Sequence, residues 1–179
     1  MLQKGKPFQF GPKSRLNVGR DFHDFAWAYW NAAKLLFEAL SETADFDPQR
    51  FNGPVMFLYR HAIETELKGI LSHLDVDIPE STLHTHDLLK LRSEIIARLN
   101  GARKINGNAV DCIGQLNGYD PRSLVGRYPV EWQGQDRPFD LRHFVERCDA
   151  TLEELDKILN ELLWKLEQEI KEEVGGTEN

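Results

Sequence analysis

The chain reads as an all-α protein: a bundle of four to five helices with a long C-terminal one. Three observations lead there. Apolar residues recur at steps of three and four over most of the 179 residues, which is the period of a helix with one buried face. No segment keeps the strict alternation that a half-buried strand needs. A seam of leucines, again at steps of four and three, runs through the final quarter of the sequence. With 41% apolar and 28% charged residues, the balance is that of a soluble globular protein. One domain of this length buries a core without disulfide staples.

The first helix is expected over about residues 20–43, with Phe22, Phe25, Ala26, Tyr29, Ala33, Leu36, Phe37 and Leu40 on one face. Asp47-Pro48 breaks that pattern. A second helix is expected after Pro54, turning Met56, Ile63, Leu67, Ile70, Leu71 and Leu74 inward, and Asp75 to Pro79 ends it. Thr85 is the expected N-cap of a third, with Leu88, Leu91, Ile95 and Leu99 inward and a stop near Asn100-Gly101. A short fourth helix is expected over about 107–117.

Residues 117–139 contain Gly118, Pro121, Gly126, Pro129, Gly134 and Pro138, a loop longer than a connector needs. It carries Arg122, Arg127, Tyr128, Trp132 and Arg137. That mix of aromatic and guanidinium groups suits nucleotide or RNA contact, and it equally serves to pin a loop onto helices. Asp140 can cap the last helix, whose seam is Leu141, Val145, Cys148, Leu152, Leu155, Leu159, Leu162 and Leu166. From Asp140 to Glu173 it would run about 50 Å, enough to overhang a small bundle. The first half of the seam then belongs to the core, and the second half can meet another copy of the chain.

Charge is unevenly spread. The net value is −7, from 22 Lys+Arg against 29 Asp+Glu. Residues 1–20 hold Lys4, Lys6, Lys13, Arg15 and Arg20 without an acid, so residues 1–19 are expected to be a basic arm. The domain proper is expected over 20–174, with a disordered tail over 175–179. An acidic chain is a poor general nucleic-acid binder, so any such contact is local, where basic groups converge. Two cysteines, Cys112 and Cys148, exclude a disulfide framework and a four-cysteine zinc site. No apolar run suits a signal peptide or a membrane span, and a cytoplasmic protein is expected.

Several groupings have the residue types for chemistry. Arg60, Glu64 and Lys68 stand four residues apart, the usual spacing of a surface ion-pair ladder. Arg60, however, falls among Met56, Ile63 and Leu67, where a guanidinium needs a carboxylate or phosphate partner. The favoured reading is an internal ion pair that fixes helix packing. His61, His86, Asp87 and Asp111 supply the ligand types of an HD-type metal phosphohydrolase. Here His86-Asp87 opens a helix and leads into Leu88-Leu89, which is the wrong orientation. Asp87 serves there as a partner for free helix N–H groups, and no metal or cofactor is expected. Arg137 and His143 flank the start of the last helix with five residues between them. A histidine as general acid or base, with an arginine stabilising a phosphorane-like transition state, is sufficient for RNA cleavage by the 2′-OH.

The run Phe57-Leu58-Tyr59-Arg60-His61-Ala62-Ile63-Glu64-Thr65-Glu66-Leu67-Lys68 resembles the second helix of HEPN-domain proteins. His86-Asp87-Leu88-Leu89-Lys90-Leu91 is similar to the His-Asp-Leu element that opens a later helix in many members. Arg127-Tyr128-Pro129 resembles the Arg-Tyr-Pro before the final helix in one subgroup. The resemblance covers about residues 20–170. It implies a homodimeric helical bundle of prokaryotic toxin–antitoxin, phage-defence or CRISPR-linked systems. Many members are metal-independent endoribonucleases with an Arg-x(4–6)-His motif at the dimer interface, and Arg137 to His143 fits that spacing. Pro138 departs from the polar residue usual after the arginine. Other members are non-catalytic modules that bind a nucleotide, RNA or a partner protein such as an antitoxin. For such a module, Arg60, His61, Glu64, His86, Asp87, Arg127 and Tyr128 are the candidate contacts.

Overall fold

The computed structural model describes residues 15–43, 48–75, 78–123 and 140–175. They form six helices and, among the described residues, no strand: α1 (Arg15–Ser41), α2 (Pro48–Leu74), α3 (Glu80–Leu83), α4 (Leu88–Leu99), α5 (Gly107–Tyr119) and α6 (Leu141–Gly175). The all-α bundle with a long final helix is therefore what the chain adopts. None of these helices is long and apolar enough to cross a membrane.

α2 is the axis of the bundle. Positions 62–70 are buried without interruption, so this stretch has no outward face. α1 packs antiparallel to it, with the Tyr29 ring edge-on to His61 at 4.4 Å. α6 runs parallel to α2, because Asp149 meets Tyr59 while Asp156 sits with His23 and Glu66. α4 lies on another side of α2, and α5 packs between α4 and α6. The apolar core follows this arrangement: Ile63, Leu67, Ile70 and Leu71 of α2 cluster with Leu88, Leu91 and Ile95 of α4, Ile113 of α5, and Leu152, Leu155 and Leu159 of α6. Burial of such side chains contributes roughly 1.5–3 kcal/mol each before chain entropy is subtracted.

Four boundaries differ from the sequence expectation. α1 starts at Arg15, so the basic arm merges into a helix five residues early; residues 15–20 contain no proline to forbid it. α2 starts at Pro48 and carries Pro54 inside. The exposed Pro54 forfeits one intrahelical hydrogen bond, a loss that the burial of Val55, Met56 and Tyr59 just beyond it offsets. The helix expected after Thr85 is α4, which starts at Leu88, and its cap is Asp87 rather than Thr85. Asp87 accepts from the amides of Leu89 (2.9 Å) and Lys90 (3.1 Å). Thr85 instead accepts from the Asp87 amide at 3.2 Å. The cause is Arg60, whose Nη2 donates to the His86 carbonyl at 2.6 Å and holds that residue out of the helix. The one-turn α3 was not foreseen, since four residues carry no readable period. At the other end α6 closes at Gly175, the first residue of the expected tail.

Candidate functional site

The candidate residues fall in two places. The first is the junction of α2, the α3–α4 link and the end of α5. The whole Arg60–Glu64–Lys68 ladder is interior there, with Arg60 and Glu64 2% and 1% exposed. A helix enclosed on every side leaves its polar residues nowhere to go, so they close on one another. Arg60 Nη1 donates to Glu64 Oε2 at 2.9 Å, and Lys68 Nζ donates to Glu64 Oε1 at 2.7 Å. His86 Nδ1 lies 2.9 Å from the same Oε1, and Arg60 Nε donates to the Asp120 carbonyl at 2.9 Å. Burial alone would raise the Glu64 carboxyl; the Lys68 ammonium and His86 overcome it and hold the group below its ordinary value. Asn117 completes the junction by accepting from the Leu88 amide at 2.9 Å.

This arrangement is a structural lock. Arg60 and Glu64 have no face toward solvent from which to take a ligand. His61 is half-buried against Tyr29 and Phe57, and Asp87 is exposed and engaged as the α4 cap. His86 is the member of this set with both an ion-pair partner and an accessible ring, at 48% side-chain exposure. Arg127, Tyr128 and Arg137 lie outside the described residues. The HD-type grouping does not assemble either. Among the described residues, the side chains close enough to share an ion are instead His23, Glu66 and Asp156.

The second place is the start of α6. Asp140 caps the helix by accepting from the His143 amide at 3.0 Å, and this sets His143 on the exposed first turn. Its ring lines a groove of about 390 Å³ between α6 and the start of α5, together with Asn106, Asn108, Glu146, Arg147 and Thr151. That volume suits a nucleotide-sized ligand. Arg147 follows His143 by one helical turn and so shares its face; its Nη1 donates to Gln115 Oε1 at 2.6 Å. Arg147 was not singled out from the sequence, although its spacing of four from His143 is the signal that finds it. Below the groove, Cys112 and Cys148 are free thiols with sulfurs 4.0 Å apart. The Cys148 thiol pulls Cys112 down to about 7, whereas complete burial pushes Cys148 well up.

Chemically, the groove offers an imidazole, a guanidinium and side-chain amides on a wall open to solvent. Glu146 offsets the Arg147 charge, so recognition there rests on placed groups rather than on a general positive field. Comparison with known family models, curated proteins and solved structures gave no match.

Proposed function

We propose that this chain is a HEPN-like protein of a prokaryotic defence or toxin–antitoxin type system, acting on RNA at the groove between α5 and α6. His143 serves as general base or acid toward the 2′-OH and leaving oxygen, and Arg137 stabilises the phosphate. Arg147 adds a second guanidinium on the His143 face. The observation that carries this reading is the position of His143: exposed, on a capped first turn, at a groove of nucleotide size lined by amide side chains. A histidine buried in the core, or one facing empty solvent, would not support it. The binding-module alternative, drawn through Arg60, His61, Glu64, His86, Asp87, Arg127 and Tyr128, has less support because Arg60 and Glu64 are spent on each other.

A homodimer belongs to the same proposal. The outer part of α6 carries Ile170 at 38% exposure in continuation of the leucine seam, where a second copy would cover it.

The test is incubation of the purified chain with a mixed RNA pool in EDTA, wild type beside His143→Ala. The expected result is cleavage by wild type and none by the variant, with unchanged helical circular dichroism and a mass of two chains for both proteins. Equal cleavage by both removes His143 from the mechanism. Intact RNA with wild type overturns the catalytic reading.

A further inference from the structure

Away from both places, three helices bring His23 (α1), Glu66 (α2) and Asp156 (α6) together. Glu66 is 2% exposed, on the enclosed stretch of α2, and needs a partner. His23 supplies it: Nδ1 lies 3.3 Å from both carboxylate oxygens of Glu66. Nδ1–H donated to Glu66 leaves the Nε2 lone pair facing Asp156, with Oδ1 at 3.7 Å. With the ring neutral, Nε2 and the carboxylate oxygen are two acceptors turned toward each other, a pair that a cation between them, a proton or a metal ion, satisfies. At 3.7 Å a proton leaves an ion pair without a short hydrogen bond. A metal ion spans that gap well, because bonds of about 2.0–2.2 Å to an imidazole nitrogen and a carboxylate oxygen meet across 3.7 Å at an angle of roughly 125°.

Two further observations point the same way. A void of about 10 Å³ opens among these residues and Trp27, Trp30 and Leu152, the room of one water-sized sphere. Among the described side chains, those of residues 21–43, 52–75, 78–123 and 140–172, neither Glu66 nor Asp156 forms an ion pair with a lysine or arginine. We infer that His23 Nε2 and Asp156 Oδ1 bind a divalent transition-metal ion of the zinc class, with Glu66 fixing the His23 ring from behind. Carboxylate–histidine–metal is a recurrent arrangement in which the carboxylate orients the ring and raises its basicity. Mixed imidazole and carboxylate donors select zinc-class ions over magnesium or calcium. Because Asp156 is partly exposed, water completes the coordination. The ion would tie α1 to α6 and does not depend on the RNA reading.

The experiment is isothermal titration of the full chain with Zn²⁺ at neutral pH, alongside imidazole ¹⁵N spectra. One ion per chain is expected, with a shift of the His23 Nε2 resonance. His23→Gln and Asp156→Asn, both at partly exposed positions that tolerate change, are expected to lose the binding. Glu66→Gln is expected to weaken it about 10–100-fold. No saturable uptake overturns the inference, and so does uptake that survives His23→Gln, which would place the ion elsewhere, for instance on the two thiols. A His23 ring that keeps both protons through the titration shows a proton holding the site and overturns it too.

Discussion

Glu64→Gln is the sharpest test of the interior lock. The Glu64 carboxylate takes hydrogen bonds from Arg60 at 2.9 Å and Lys68 at 2.7 Å, with His86 at 2.9 Å. Both cations are almost fully withdrawn from water, Arg60 at 2% and Lys68 at 7% exposure. The glutamine amide keeps one acceptor oxygen and turns an NH₂ toward a donor. Both buried cations then lose the Glu64 counter-charge and one also faces a group of like polarity; Arg60 keeps Asp120 Oδ2 at 3.8 Å, so Lys68 is the charge left stranded. Breaking a buried pair in this way costs about 3–5 kcal/mol, a large part of the roughly 5–15 kcal/mol that holds a domain folded. At roughly 2–4 °C per kcal/mol for a chain of this size, the melting temperature falls by about 6–20 °C. Urea unfolding followed by helical circular dichroism measures the loss, and an unchanged slope shows that the unfolded state is not the cause. Adding Lys68→Met to Glu64→Gln removes the stranded charge and should recover part of the loss, a coupling that a double-mutant cycle reads directly. A loss under about 1 kcal/mol would refute the argument, because it would mean that water reaches the network.

Two other outcomes follow from the same contacts. Since Glu64 is held below its ordinary value, its contribution is fully present above the unfolded-state value near 4.3 and is lost as pH falls through the lower folded value. The stability gap between wild type and Glu64→Gln, measured by urea midpoints from neutral to acid pH, should therefore narrow in acid; a gap that widens would contradict the sign. Asp87→Ala removes two hydrogen bonds at the start of α4 and should cost about 0.5–2 kcal/mol, whereas Thr85→Ala should cost less, and the reverse order in urea unfolding would restore Thr85 as the cap.

The apolar period was enough to place α1, α2, α4, α5 and α6, because each buries one face or, for α2, every face. It was also enough to single out Arg60, whose angular position among Met56, Ile63 and Leu67 demanded an internal partner. What the period cannot convey is how many neighbours a helix has. Glu64 and Lys68 have the spacing of a solvated ladder, and only the packing of α1, α4 and α6 around α2 moves them inside. The same blindness hid the His23 grouping, whose members stand 43 residues apart in one pair and come from three helices. His143 was legible as a first-turn residue from Asp140 and the leucine seam. The groove beside it was not, since its far wall is Asn108 of α5 and the capping residue Asn106.

The leucine seam of α6 leaves a question of register that Asp149 answers. Leucines at heptad spacing fit the same groove after a slide of seven residues, about 10.5 Å, so apolar packing alone tolerates several alignments. Asp149 accepts from Trp30 Nε1 at 2.6 Å and from the Tyr59 hydroxyl at 2.9 Å, while Asp156, one heptad on, faces His23. Slipping one way sets Arg142 against the indole and phenol donors. Slipping the other way sets Leu163 against His23 and Glu66. Two acids on an otherwise repetitive helix thus work as the teeth of a key, making one alignment of three helices distinct from its near-equivalents.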